Sequence, residues 1–222
     1  MPLTFAHPAI AIPFAHTRSL HFTAFVIGTM APDFEYFLRG YPFGTIGHTW
    51  FGMLWLNLPL CFITYVVWQY IQPILYHYCA IANTAPPFTM TFFVRSAVLG
   101  MITHILWDSF THRSGFFVTH FSLLRMPLYF PLYKWLQHGS TVVGLMIIGY
   151  FLWRHITWVL HDTTHAILQF WLCYVGLIGC CMFVWYMVDS VPLHAYGTHV
   201  VRFIDSSILA LVITCSYART KV

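Results

Sequence analysis

The stretch AILQFWLCYVGLIGCCMFVWYMV, Ala166 to Val188, contains no Asp, Glu, Lys or Arg, and its reading decides the fold class. It exceeds the roughly 20 apolar residues that cross a bilayer as a helix. A longer charge-free stretch runs from Gly40 to Val94. Over the whole chain 59% of residues are hydrophobic, 19% aromatic and 7% charged, whereas an ordinary soluble domain carries about 25% charged residues. So few charges cannot coat a soluble globule. In lipid the backbone polar groups must be satisfied by helices or a closed barrel, and continuous rather than alternating hydrophobicity selects helices. The expectation is an all-α integral membrane protein, a single multi-span domain over residues 1–222 whose main partner is the lipid bilayer.

Five spans are expected: Thr49 to Ile71, Phe92 to Phe110, Ser140 to Leu160, Ala166 to Val188, and Val200 to Tyr217. Ahead of them, Leu20 to Met30 is too short to cross and is expected as an interfacial or re-entrant helix, closed by Ala31-Pro32-Asp33 because Pro32 marks a helix boundary. No basic segment precedes a hydrophobic run near the start, which argues against a cleaved signal peptide. Arg18, Arg39, Arg113, Arg125 and Lys134 fall on one side of this topology and the 72–91 loop on the other has no basic residue, so the first side is expected to be cytoplasmic. Arg219 and Lys221 then fall outside, at odds with that rule unless the last span fails to cross. The net charge of +4 is scattered without any Lys/Arg run, which excludes a nucleic-acid partner. The six cysteines form no C-x-x-C pair and read as small core residues.

Fourteen histidines and six acids in so apolar a chain need an account, because ionisable groups at membrane depth are costly and mark sites. Thr103 to His112 holds the series H-x-x-x-D-x-x-x-H. On a helix, His104, Asp108 and His112 fall within roughly an 80° arc of one face. Imidazole nitrogen with carboxylate oxygen suits zinc, manganese or iron. The plainer alternative is a helix end facing water, with Asp108 bonded to its neighbours. His7, Asp33, His48 and His138 lie on the same side of the expected topology. Singly each is weak, since an Asp after Pro is commonly an N-cap; convergence from separate segments is what a metal or catalytic site requires. His104 and His112 are separated by about 12 Å of helical rise. Either the helix unwinds near Ser109, or Asp108 bridges two ions about 3.5–4 Å apart. The remaining histidines read as interfacial or structural, and His199, Arg202 and Asp205 are spaced for a structural ion pair.

Met1-Pro2-Leu3-Thr4-Phe5-Ala6-His7-Pro8-Ala9, Gly28 to Phe37, Gly47-His48-Thr49, His104 to His112 and Gln137-His138-Gly139-Ser140 together resemble an uncharacterised bacterial membrane family, domain of unknown function 4184. That family is similar to membrane-bound metal-dependent hydrolases. The resemblance implies a site of His7, Asp33, His48, His104 and Asp108, joined by His112 and His138, with Asp33 and Asp108 as metal bridge or general base. It also implies a bacterial cytoplasmic membrane. A more distant similarity is to zinc-dependent phospholipase C and related nucleases, which use an amino-terminal Trp and an H-x-x-x-E pair; here the chain begins Met1-Pro2 and Val142 follows His138 by four residues. Three functions are therefore weighed: a hydrolase of an amphiphilic ester or phosphoester, a metal-handling transporter, and a scaffold without a site. The carboxylates favour a divalent ion over bis-histidine haem.

Overall fold

The computed structural model describes residues 3–79, 89–127, 129–155 and 164–221. Among them the regular structure is helical, apart from an isolated bridge between Pro127 and Pro131. A 3₁₀ segment, Thr4–Phe14, carries Pro8 and Pro13 inside it, where prolines that lack an N–H cannot continue an α-helix. After it come α1 (Phe22–Met30), a 3₁₀ turn (Ala31–Asp33), α2 (Phe34–Arg39), the short α3 (Trp50–Gly52), a π-helical turn (Met53–Asn57) and α4 (Leu58–Cys79). The rest comprises α5 (Met90–Thr111), α6 (Phe116–His120), a 3₁₀ turn (Ser122–Arg125), α7 (Leu132–His155), α8 (Thr164–Val188) and α9 (Tyr196–Arg219).

Among the described residues, five stretches are long and apolar enough to cross a membrane: Trp50–Tyr78, Met90–His120, Leu132–His155, His165–Val188 and Tyr196–Arg219. Each expected span has its counterpart, the first running about two turns further than the sequence suggests. Of the expected third span, residues 156–160 lie outside the described residues. Leu168, Leu172, Val175, Phe183 and Val184 on α8 are exposed, as suits a surface whose solvent is lipid. The protein is an all-α, multi-pass membrane protein.

The chain divides into two compact units. The first comprises residues Met1–Phe34, Thr45–Tyr65 and Ala85–Arg154. Its core joins Ala24, Ile27 and Ala31 to Met53, Cys61, Tyr65, Phe93, Ala97 and Met101. Of the interfacial or re-entrant helix expected at Leu20 to Met30, the structure shows α1 packed against α5, with Ala24, Phe25, Ile27, Gly28 and Thr29 buried. The cause is small residues. A Cβ on Gly28 would run into the Ala97 backbone, and one on Gly100 into the backbone of Phe25 and Thr29, so glycine at both places lets the two helices touch backbone to backbone. His21 caps α1, its Nδ1 accepting from the Ala24 N–H at 3.2 Å.

The second unit comprises Glu35–Gly44, Val66–Thr84 and His155–Val222. Its core gathers Ile71, Ile74, Phe170, Cys215 and Ala218. The ion pair expected near Arg202 also needs correction. Arg202, buried, pairs with Asp189 and not with Asp205, and its guanidinium lies over the rings of Tyr41 and Trp185 at 5.2 and 4.7 Å. Asp205 lies three residues along the same helix, less than one turn away, and its Oδ2 has no hydrogen-bond partner.

Candidate metal centre

Four segments of the first unit converge on Asp108. That residue sits in the last turn of α5, where the helix continues to Thr111 without unwinding at Ser109. His112 is the first non-helical residue, with φ −108° and ψ 143°. Its N–H still donates to the Asp108 carbonyl at 3.0 Å, the last bond of the helix, and its Nδ1 comes within 3.4 Å of Asp108 Oδ1 at the i, i+4 spacing. His104, one turn earlier, places Nε2 at 3.3 Å from the other oxygen, Oδ2. The carboxylate therefore has a different histidine of its own helix on each oxygen.

Asp33 arrives from the 3₁₀ turn after α1. It is 1% exposed; its Oδ2 accepts from Thr4 Oγ1 at 2.5 Å, and its Oδ1 faces His104 Nε2 at 3.7 Å and His48 Nε2 at 3.6 Å. His48 also reaches Asp108 Oδ2 at 3.4 Å. The turn bearing His48 is held at both ends. Thr49 caps α3 through a bond from the Gly52 N–H at 2.9 Å, and the buried Asn57 donates to the Gly47 carbonyl at 2.7 Å. Asn57 closes the π-helical turn, a local irregularity often found at functional sites. His7, from the amino-terminal 3₁₀ segment, stacks on His104 with ring centroids 4.0 Å apart and places Nε2 at 3.7 Å from Asp108 Oδ1. α7 anchors that segment: the Leu3 N–H donates to Thr141 Oγ1 at 3.1 Å, and Gly144 leaves room for the Ala6 backbone.

The structure thus brings together His7, Asp33, His48, His104, Asp108 and His112. It does not bring in His138, whose side chain is exposed on α7; the residue turned inward there is Gln137, 2% exposed and bonded to Lys134. One residue is about 100° of helix, which suffices to exchange the two. Thr4, the Thr29 carbonyl and Asn57 were invisible to motif reading, because each acts through one hydrogen bond that no spacing announces.

The electrostatics of the cluster are unusual. His104 Nδ1 lies 2.7 Å from the Thr29 carbonyl, which fixes the proton on Nδ1 and leaves Nε2 with a lone pair. That lone pair faces carboxylate oxygens, which are also acceptors. His7 Nε2, Asp33 Oδ1, His104 Nε2 and Asp108 Oδ1 are all buried without a hydrogen-bond partner, although nearly all buried polar atoms have one. Neither carboxylate pairs with a Lys or Arg among the described residues. Burial pushes the Asp33 carboxyl above its ordinary range and the His7 imidazole down to about 3. Imidazole nitrogens and carboxylate oxygens thus converge without a Lys or Arg partner among the described residues.

One ligand atom from each of Asp33, His48, His104 and Asp108 lies within 4.8 Å of the others. Zinc bonds of about 2.0–2.2 Å set tetrahedral ligand atoms about 3.3–3.6 Å apart, close to the 3.3–3.7 Å nitrogen–oxygen separations here. The donor set therefore fits a divalent ion. Comparison with known proteins finds no matching curated protein and no matching solved structure. Residues 1–216 match the family described as Domain of unknown function (DUF4184), and the chain belongs to that family.

Proposed function

We propose that the protein is a metal-dependent hydrolase of the bacterial cytoplasmic membrane, with its centre at the cytoplasmic interface and an amphiphilic ester or phosphoester as substrate. The observation that carries this reading is the set of buried imidazole and carboxylate atoms left without partners around one point. Asp33, His48, His104 and Asp108 Oδ2 hold one divalent ion, zinc by donor chemistry, with manganese and iron as alternatives. His7 and His112 surround Asp108 Oδ1, and these three residues would hold a second ion if one binds. An ion so held supplies Lewis acidity toward a carbonyl or phosphoryl oxygen and lowers the pKa of a coordinated water to about 7.

The chain's own residues do the rest. Thr4 and the Thr29 carbonyl orient Asp33 and His104, as outer hydrogen bonds do for metal ligands. Asp33 or Asp108 accepts the proton of the attacking water, being the only carboxylates of the cluster. Arg113, exposed immediately after His112, is positioned to meet a substrate anion. The test is a screen of purified, metal-analysed protein against ester and phosphoester lipids, with and without chelator. Chelator-sensitive hydrolysis that Asp33→Asn abolishes is expected. Hydrolysis indifferent to chelator, or metal uptake into proteoliposomes without hydrolysis, overturns the reading, the latter in favour of a transport protein.

A further inference from the structure

His7 and His104, both buried, stand on the side of the first unit that faces α7. A cavity of about 450 Å³ meets them there, within the roughly 300–1,000 Å³ usual for small-molecule sites. Its other walls are largely apolar, including Ile10, Trp107, Trp135, Val143 and Ile147. Trp107, Trp135, Val143 and Ile147 are also exposed, so the cavity is a groove along membrane-spanning helices, open where lipid lies. α7 lines it from Trp135 to Ile147, about 18 Å of helix at 1.5 Å per residue. One leaflet of hydrocarbon is nearly as deep, half of about 30 Å. Trp is favoured at membrane–water interfaces, and Trp107 and Trp135 both belong to the groove wall.

The glycines of α7 show that this space is not an ordinary helix contact. Gly144 packs on the Ala6 backbone, whereas a Cβ on Gly139, which lines the groove, would meet no protein atom within 4 Å. The room above Gly139 belongs to the groove itself.

We propose that the groove holds one acyl chain of a membrane lipid, whose headgroup linkage then lies against the imidazole face of the metal centre. This rests on the hydrolase reading and narrows its substrate to acyl-chain lipids. A small water-soluble ester has no use for an apolar trough a leaflet deep that opens to lipid instead of water.

The test uses the full chain in phosphatidylethanolamine and phosphatidylglycerol vesicles doped with a phospholipid carrying a mid-chain diazirine, with labelled peptides mapped and metal content measured on the same samples. Label is expected to concentrate on residues 103–107 and 135–147. It is lost in Gly139→Phe, whose Cβ starts in open space on the groove lining. It is kept in Gly149→Phe, a control with equally open space outside the groove lining. Uniform labelling of all lipid-facing helices, or unchanged labelling in Gly139→Phe, overturns the proposal. Groove-specific labelling of a protein without metal leaves the acyl site standing and removes the hydrolase reading; metal with uniform labelling does the reverse.

Discussion

In the second unit the buried Arg202 meets an opposite charge: its guanidinium reaches the side chain and carbonyl of the part-exposed Asp189, the Tyr41 hydroxyl and two aromatic faces, although its Nε and the nearby Asp205 Oδ2 have no hydrogen-bond partner. In the first unit, Asp33 and Asp108 are buried beside imidazoles, and among the described residues no Lys or Arg pairs with either. A buried ion pair with good geometry is complete by itself and is ordinarily structural. A converging set of imidazole and carboxylate atoms without such a partner could hold a metal ion. The contrast separates a support from a site within one chain, although both look alike as rare charges in an apolar sequence.

The largest expected effect comes from removing the residue shared by both halves of the cluster. Asp108→Asn loses metal and hydrolysis together and loses more metal than His112→Ala, because its two oxygens serve different histidines. Metal binding also stabilises the folded state, by about 2.7 kcal/mol at a free concentration 100 times Kd. Chelator should therefore lower the melting temperature of the wild type and leave that of Asp108→Asn unchanged. Equal metal loss in the two variants would remove the bridging role.

Next come the residues that orient the ligands. Thr4→Val deletes the hydrogen bond to Asp33 Oδ2 and should weaken metal affinity by about 10–100-fold, read by competition with a chromophoric chelator. Asn57→Leu frees the turn that carries His48 and should act in the same direction. Unchanged affinity in both means that these groups are packing elements only.

The second unit should respond in stability and not in metal. Asp189→Asn lowers the melting temperature by leaving Arg202 buried beside a neutral amide, and Asp189→Asn with Arg202→Met restores part of it, because a buried charge left alone costs more than none. The Tyr41 hydrogen bond, and then Arg202, hold the Asp189 carboxyl below its ordinary range. Its contribution is thus fully present above the unfolded value of about 3.9 and is lost as pH falls through the lower folded one. Metal content follows neither variant. The smallest effect is expected for His138→Ala: unchanged metal content and stability within about 0.5 kcal/mol, since the side chain is exposed.

Much of this contrast is legible in the amino-acid sequence. Charge-free stretches reveal spans because lipid tolerates little else, and His104 with Asp108 reveals itself because i and i+4 share a helix face. Asp33 and His48 follow from topology, which sets them on the same side as the end of α5. The burial of α1 does not follow, because it depends on Gly28 and Gly100 meeting a partner helix. Gln137 and His138 cannot be told apart without knowing which face of α7 meets the amino-terminal segment. For His112 the helical arc holds as well: its N–H still bonds the Asp108 carbonyl, and its ring meets Asp108 at the i, i+4 spacing although the helix ends there.

Elemental analysis of the protein purified from membranes without added metal, beside Asp33→Asn/Asp108→Asn prepared in parallel, tests the central claim most directly. A divalent ion in stoichiometric amount in the wild type and none in the double variant is the predicted result. A metal-free wild type that takes up no added zinc, manganese or iron, or equal metal in both proteins, contradicts it.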